Sequence, residues 1–249
     1  MPGPKFSLII PAYNEESYLP RLLASVRRAA NVYGAQEVEV IVADNLSTDL
    51  TAEVAQRFGA RVVRVEKRCI ASARNGGALA AAGEILCFID ADSAVHENTF
   101  LKIEEAMDRA RHIGGATGVR LERLSIGLVA VCCFMYPLLW ITRFDTGVVF
   151  CRRADFEALG GYDEELLLGE DVRFLWALTR RGFSTGRRLT RLKGVPALGC
   201  IRKFDEHGQW HYFSLLGRVI LSLLRTGLRS PTSIQNDPNI AGYWYDPGR

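Results

Sequence analysis

The sequence lacks the glycine-rich loops that mark the commonest nucleotide-binding enzymes. No Gly-x-Gly-x-x-Gly follows the first predicted strand, and no Walker loop occurs in the 249 residues. These absences argue against a dinucleotide-binding fold and against a P-loop enzyme. Internal repeats and low-complexity stretches are missing as well.

Excess charge and paired cysteines are also missing. A net charge of +3 is too small to indicate nucleic-acid binding, so we expect no nucleic-acid partner. The six cysteines form no Cys-x-x-Cys pair and lie mostly in apolar runs, which is typical of reduced core residues. Because no secretory signal precedes the first predicted strand, we expect a cytoplasmic protein.

What is present is a regular alternation of strands and helices. Short apolar runs near residues 6–10, 38–42, 61–65 and 83–93 predict four buried strands. Helical patterns separate these strands, and further elements are expected at 114–119, 146–151, 154–164 and from 170 onward. The alternation predicts an α/β fold with a doubly wound, mainly parallel central sheet and helices on both faces.

Polar side chains follow each of the first four predicted strands. They are Tyr13, Asn14 and Glu15, then Asp44 and Asn45, then Lys67, Arg68 and Arg74, and finally Asp90 and Asp92. Because the carboxyl ends of parallel strands share one edge of a sheet, we expect these groups to line one crevice. Acids on one side and cations on the other suit a nucleoside diphosphate with a divalent metal.

Each of these residues also has an ordinary structural explanation. Asp90 and Asp92 could begin a turn and cap the next helix instead of holding a metal. Glu15 could be a helix-start acid, Asp44 a turn residue and Arg74 a solvated arginine. Their joint occurrence in one order favours the crevice.

Four ordered motifs resemble the family-2 glycosyltransferases, which have the GT-A nucleotide-diphospho-sugar transferase fold. The motifs are Pro11-Ala12-Tyr13-Asn14-Glu15, the run from Val42 to Asp49, Ala73-Arg74-Asn75-Gly76-Gly77 and Asp90-Ala91-Asp92. The resemblance implies that the nucleoside is contacted by Pro11, Tyr13, Glu15 and Asp44. It places Arg74 near the base or diphosphate, Asp90 near the ribose, and Asp92 on a Mn²⁺ or Mg²⁺ ion. Asn45 departs from the family, which often has a second Asp there.

A second pair of motifs is similar to the acceptor side of the same family. Gly160-Gly161-Tyr162-Asp163-Glu164 is followed by Glu170 and Asp171 at a predicted helix start. The resemblance implies that Asp171 is the catalytic base, with Glu170 as second choice or acceptor contact. Acids at a helix start are also ordinary partners of the helix dipole. The Gln-x-x-Arg-Trp signature of processive relatives is absent, so we expect transfer of a single sugar.

The apolar segment at residues 124–142 just reaches transmembrane length. Pro137 interrupts it, and arginines on both sides give no orientation bias. Because a crossing would put the two halves of the crevice on opposite sides of a bilayer, we reject a span. Burial or a homodimer contact is favoured over a peripheral contact with the inner face of the membrane.

The last fifty residues leave further alternatives open. His207 and His211 are either additional metal ligands beside Asp92 or solvated histidines. Residues 212–228 have the pattern of a basic amphipathic helix that fits a dimer, a core or a membrane surface. The segment 231–249 is expected to be a C-terminal tail.

We therefore expect a single GT-A domain over residues 1–230, with a nucleotide-sugar-binding half at 5–120 and an acceptor-side half at 121–230. The expected activity is inverting, metal-dependent transfer of one sugar from a nucleotide-diphospho-sugar to an acceptor hydroxyl or a lipid phosphate. The acceptor would be a saccharide or a lipid-linked molecule. Two alternatives remain: a nucleotidyltransferase that makes a nucleotide sugar, and a non-catalytic binder of nucleotide sugars.

Overall fold

A computed structural model of the protein describes residues 3–123, 145–166 and 169–200. The strands are β1 (Phe6–Ala12), β2 (Val38–Asp44), β3 (Arg61–Arg64), β4 (Ile85–Phe88), β5 (His112–Leu121), β6 (Val149–Arg152) and β7 (Arg188–Gly199). The helices are α1 (Leu19–Tyr33), α2 (Thr51–Arg57), α3 (Ile70–Ala80), α4 (Thr99–Met107), α5 (Arg153–Leu159) and α6 (Glu170–Ser184), and a short 3₁₀ turn covers Ala35–Glu37.

The seven strands form one sheet in the order β3-β2-β1-β4-β6-β5-β7. β1 pairs in parallel with β2 and β4, β2 with β3, and β5 with β7. β6 is antiparallel to both of its neighbours, β4 and β5. The prediction of a mainly parallel α/β sheet is therefore confirmed, with one antiparallel strand inserted between its two halves.

The alternation of side chains along the inner strands produces two apolar layers. In β1, Phe6, Leu8 and Ile10 face α1 and α4, whereas Ile9 faces α3 on the opposite side. The second layer continues through α5 and α6, where Phe156 and Leu178 are among the packed residues. Helices therefore cover both faces of the sheet, as the sequence predicted.

Two details differ from the sequence-based expectation. Pro11 was expected to end the first strand but lies within β1, where it pairs with Ala43. β4 accompanies β1 only as far as Ile9, so one side of β1 is free of a strand at Pro11 and the missing N–H is tolerated. The edge strand β7 was not predicted, because Gly194 and Pro196 interrupt its alternating pattern.

Several predictions fall outside the described residues. They concern the segment 124–142, both candidate metal ligands His207 and His211, the helix at 212–228 and the tail at 231–249. Among the helices within the described ranges, none has the length and hydropathy of a membrane span.

Gly115→Ala should destabilise the fold by about 1–3 kcal/mol, the usual range for an overpacked interior. A Cβ at Gly115 would overlap the backbone carbonyl of Thr190 in the neighbouring strand β7. Gly118→Ala is the matched control in the same strand, since its nearest neighbour is the end of the Arg191 side chain at 3.8 Å. Thermal unfolding of both variants measures the difference, and equal melting temperatures would contradict the close contact between β5 and β7.

Candidate active site

The carboxyl ends of β1, β2 and β4 meet at one edge of the sheet. Ala12 pairs with Asp44 in the register, so Tyr13 follows β1 beside the end of β2. Asp90 and Asp92 follow β4 on the other side of β1. With strands about 4.8 Å apart, the Asp44 and Asp90 ends are separated by about 10 Å, the scale of a nucleotide.

The loops after β1 and β2 are joined by hydrogen bonds. The N–H of Asn14 donates to Oγ of Ser47 at 3.0 Å, and Oδ1 of Asn14 accepts from the N–H of Thr48 at 2.8 Å. The N–H of Glu15 donates to Oγ1 of Thr51 at 2.8 Å. Asn14 has a left-handed φ of 53°, which a short polar side chain tolerates. The nucleoside residues predicted on these two loops therefore belong to one braced unit.

The hydrogen bonds of Asn45 account for an asparagine at a position where the family often has an aspartate. Its amide group donates to the carbonyls of Val65 at 2.9 Å and Lys67 at 2.8 Å, and its oxygen accepts from the N–H of Cys69 at 2.9 Å. An ionised aspartate has no donor for the two carbonyls. Asn45 thus fixes the loop between β3 and α3, while Asp44 keeps one carboxylate oxygen on the N–H of Ser47.

The loop that Asn45 holds carries Arg68 to the ring of Tyr13. The guanidinium carbon of Arg68 lies 4.1 Å from the centre of that ring, within the range of a cation–π contact. This pairing could not be predicted from the sequence, because the two residues belong to loops 55 positions apart. The contact places a planar cation beside the aromatic side chain expected at the nucleoside.

Arg74 lies at the centre of the site. Its Nη2 donates to Oδ1 of Asp90 at 2.9 Å, and its Nη1 donates to Oε1 of Glu170 at 2.8 Å. The same Nη1 is 2.7 Å from Oδ1 of Asp171, an ion pair whose N–H is not aimed along the contact. The Arg74 side chain is only 4% exposed. One buried cation therefore brings together three predicted site residues from two distant parts of the chain.

Two residues hold the chain segment before α6 against α3. The Asn75 amide donates to the carbonyl of Tyr162 and to Oε1 of Glu164, both at 2.9 Å, and accepts from the N–H of Tyr162 at 2.8 Å. Gly161 adopts a left-handed φ of 79°, and a Cβ there would lie 2.6 Å from the Asn75 side chain. The glycine is therefore needed for this close contact.

An aromatic cluster packs against the guanidinium of Arg74. The Tyr162 ring stacks on Phe174 with centres 4.4 Å apart and meets Phe88 edge-on at 5.2 Å. The Arg74 guanidinium carbon lies 5.1 Å from the centre of the Tyr162 ring. Since Phe88 belongs to β4 and Phe174 to α6, the cluster fixes the start of α6 next to the end of β4. Sequence reasoning did not assign this role to Tyr162.

Burial in this charged group shifts the pKa of Asp171. Burial raises the pKa of Asp171 to about 7; the Arg74 guanidinium opposes that shift, whereas the carboxylates of Glu170 and Asp90 add to it. One cation and three carboxylates give the group a net charge of −2 when all are ionised. Oδ1 of Asp171, Nε of Arg74 and the Tyr162 hydroxyl have no hydrogen-bond partner within the described part of the chain.

The chemistry of the donors at the end of β4 fits a hard divalent cation. Asp92 lies two residues beyond Asp90 in the turn after the strand, and carboxylate oxygens are the ligands that Mn²⁺ and Mg²⁺ prefer. No group of three or more ligating side chains occurs within residues 3–123, 145–166 and 169–200. Mg²⁺-type sites are commonly completed by substrate phosphates, so a single protein carboxylate is compatible with this arrangement.

Comparisons with known proteins agree with this geometry. Residues 7–126 match the family model described as glycosyl transferase family 2. Glycosyltransferase AglE of Haloferax volcanii is 34% identical over 229 residues, covering 82% of this chain and 69% of AglE. An uncharacterised glycosyltransferase of Mycobacterium tuberculosis is 35% identical over 152 residues, and the match covers 61% of each chain.

A solved structure has the same fold at lower identity. The mannosyltransferase PcManGT from Pyrobaculum calidifontis, determined with GDP-Man and Mn²⁺, is 19% identical with a TM-score of 0.65, and the match covers 97% of this chain and 70% of that one. The GT-A fold class predicted from the sequence is confirmed by this likeness.

The effect of Asp171→Asn on the free energy of unfolding, relative to the unmodified chain, should be more favourable at pH 8 than at pH 5 by on the order of 2 kcal/mol. The pKa of Asp171 is about 7 in the folded chain against an ordinary value of 3.8. Between these values the folded chain holds the extra proton, so this contribution to stability is lost as the pH rises. Because asparagine cannot ionise, the variant does not lose this contribution to stability as the pH rises. Thermal unfolding between pH 5 and pH 8 measures the effect.

Asp155 provides a control of opposite sign. Burial alone would raise its pKa, but hydrogen bonds from Arg187 and Arg181 outweigh burial and lower the pKa of Asp155. Its contribution to stability is therefore present at neutral pH, and Asp155→Asn should destabilise the chain at pH 7 and above. A gain for Asp171→Asn that is equal at pH 5 and pH 8 would contradict the electrostatic account.

Proposed function

The chain belongs to glycosyl transferase family 2, and from this premise we propose that it transfers one sugar, with inversion, from a nucleotide-diphospho-sugar to an acceptor hydroxyl. The observation that carries the proposal is the position of Asp171. Its pKa is raised to about 7, and it lies at the first turn of α6, across the Arg74 group from Asp90. A base is most effective when its pKa is near the working pH.

The donor is proposed to lie along the ends of β1, β2 and β4. Pro11, Tyr13, Glu15 and Asp44 would contact the nucleoside, because Pro11 and Asp44 lie at the carboxyl ends of β1 and β2, and Tyr13 and Glu15 lie on the braced loop after β1. Asp90 is half-exposed while its Oδ1 is held by Arg74, which leaves the second oxygen to accept from a ribose or sugar hydroxyl. Arg74 is committed to three carboxylates, so its contribution to the donor would pass mainly through the residues it holds.

The reaction is proposed to be a single displacement. The acceptor oxygen attacks the anomeric carbon while the bond from that carbon to the diphosphate oxygen breaks, and the nucleoside diphosphate leaves with the electron pair. Asp171 takes the proton of the acceptor hydroxyl, and Glu170 helps to orient the acceptor. One displacement inverts the anomeric configuration. A lipid phosphate would need no base and would be repelled by a group of net charge −2, which favours a hydroxyl acceptor.

A divalent cation fits the charge of the site. A diphosphate approaching three carboxylates and one guanidinium would be repelled unless a cation accompanies it. Asp92 would hold that cation together with the diphosphate oxygens. When bound, Mn²⁺ or Mg²⁺ would stabilise the charge that develops on the leaving diphosphate.

Paired variants separate the two proposed roles. Asp171→Asn should reduce sugar transfer by about 10²–10⁴-fold while leaving donor affinity within about threefold, because it removes only the base. Asp92→Ala should instead weaken donor binding in Mn²⁺ and leave the weak metal-free binding unchanged. Calorimetry with UDP- and GDP-linked sugars, with and without Mn²⁺, measures affinity, and transfer of labelled sugar to saccharides and lipid-linked saccharides measures turnover.

The outcome that overturns the assignment is the reverse pattern. If Asp171→Asn lost donor affinity yet retained turnover, Asp171 would be a donor contact and not the base. If donor affinity proved independent of metal in the unmodified chain, Asp92 would have no metal to hold.

A further inference from the structure

The outward face of α6 carries an unusual concentration of apolar side chains. In the described ranges seven large hydrophobic residues are exposed, and three of them lie on this helix: Val172, Trp176 and Phe183, at 51%, 58% and 79% exposure. With 100° per residue, the three fall within about 40° of one another. The buried residues Phe174, Leu175 and Leu178 lie on the side of the helix that packs on the sheet. The three exposed side chains therefore form one narrow stripe along the outside of the domain.

Arginines accompany this stripe. Arg180 is exposed beside Trp176, and Arg173 is exposed beside Val172 with Asp163 as its ion-pair partner at 3.1 Å. From 172 to 184 the helix contains no acidic residue. An exposed face made of aromatic, aliphatic and arginine side chains without acids differs from an ordinary solvated helix surface.

More arginines surround the carboxyl-terminal end of the stripe. Arg109, Arg111 and Arg188 are exposed there, and with Arg180 they have no carboxylate within ion-pair distance in the part of the chain that is described. Burial and then the fields of Arg111, Arg188 and Arg109 lower the pKa of His112, although the carbonyl of Ala106 opposes the shift. These cations are therefore close enough to act together.

The acids near this cluster do not neutralise it. Asp155 is buried and already holds Arg181 and Arg187. Asp108 is the one acid in the exposed turn from 108 to 111, where two arginines accompany it. The cluster keeps a local excess of positive charge and so attracts an anionic partner.

The apolar stripe and the cation cluster meet at one place. An open depression of about 500 Å³ is lined by Phe183, Gly186 and the three arginines Arg111, Arg187 and Arg188. Arg187 is occupied by Asp155, so Arg111 and Arg188 are the donors that face this space. A ligand here would combine an anion for the guanidinium groups with an apolar part for Phe183. An anionic phospholipid has both parts, because its phosphate lies directly beside its acyl chains.

We propose that the outward face of α6, together with Arg111 and Arg188, binds an anionic phospholipid surface. The arginines contact the phosphates, and Val172, Trp176 and Phe183 enter the boundary between headgroups and acyl chains. At 1.5 Å per residue, the stripe extends about 16 Å along α6 from Val172, next to the crevice, to Phe183 at the arginine cluster. A bilayer lying along it would contact the domain next to Asp171.

This placement of α6 also indicates the class of acceptor molecule, and that conclusion rests on the proposed function. With α6 along the bilayer, the base lies on the inward side of the first turn, about one helix diameter (10–12 Å) from the headgroup region. The acceptor class that fits this placement is a saccharide hydroxyl on a lipid-linked molecule. Membrane binding itself requires no activity and can be measured separately.

The test is sedimentation of the full chain with vesicles of phosphatidylcholine containing 30 mol% phosphatidylglycerol. We expect binding to these vesicles, weaker binding in 0.5 M salt, and none to phosphatidylcholine alone. Phe183→Ser and the double variant Arg111→Glu/Arg188→Glu should each reduce the partition coefficient by at least about tenfold. All these side chains are exposed, so circular dichroism should show unchanged folding.

A matched control changes the same charge elsewhere. Arg27→Glu/Arg28→Glu alters two exposed arginines of α1, which packs on the other face of the sheet, and should keep full vesicle binding. The proposal is overturned if the chain does not bind phosphatidylglycerol vesicles, or binds them equally well in all variants. It is also overturned if Phe183→Ser only dissociates a dimer in analytical ultracentrifugation, which would assign the stripe to a second copy. Calorimetric donor binding should be unaffected in every variant, so that failure here leaves the proposed function standing.

Discussion

The structure depends on one buried guanidinium that three carboxylates share. An arginine that is 4% exposed must be paired, because an isolated charge in the interior is strongly destabilising. Arg74 is paired with Asp90 after β4 and with Glu170 and Asp171 at the start of α6. The ion-pair group therefore links α3, the end of β4 and the start of α6 at one place.

The surrounding residues turn this link into a defined site. Asn75, the next residue along α3, binds the backbone of Tyr162, and the Tyr162 ring packs between Phe88 and Phe174. Burial raises the pKa of Asp171, and the carboxylates of Glu170 and Asp90 add to that shift. The three carboxylates also exceed the charge of Arg74 by two, so a diphosphate bound here would need a cation beside it. Stability and the proposed catalysis thus draw on one set of interactions, and a site of this kind is expected to sacrifice some stability for function.

The sequence was sufficient for the layout of the site and insufficient for its contacts. Strand periodicity and the order of the motifs predicted the sheet edge on which Asp44, Asp90 and Asp92 lie, because position after a parallel strand determines that edge. The partners of Arg74 could not be predicted, since they depend on how β6 and α6 return to the sheet. Asn45 appeared as a departure from the family, and only its two carbonyl partners explain it. β7 was not predicted because Gly194 and Pro196 usually indicate the end of a strand, although both are tolerated in a strand at the edge of a sheet.

The central claim is that burial beside Arg74, Glu170 and Asp90 sets the protonation of Asp171. Carboxyl-carbon NMR titration of selectively ¹³C-labelled aspartate, with Asp171→Asn to identify the signal, measures this directly. The account predicts a pKa of Asp171 near 7 that rises further in Arg74→Gln, because the opposing positive charge is removed. A pKa of Asp171 in the ordinary range of exposed aspartates, or one that does not change in Arg74→Gln, would contradict it.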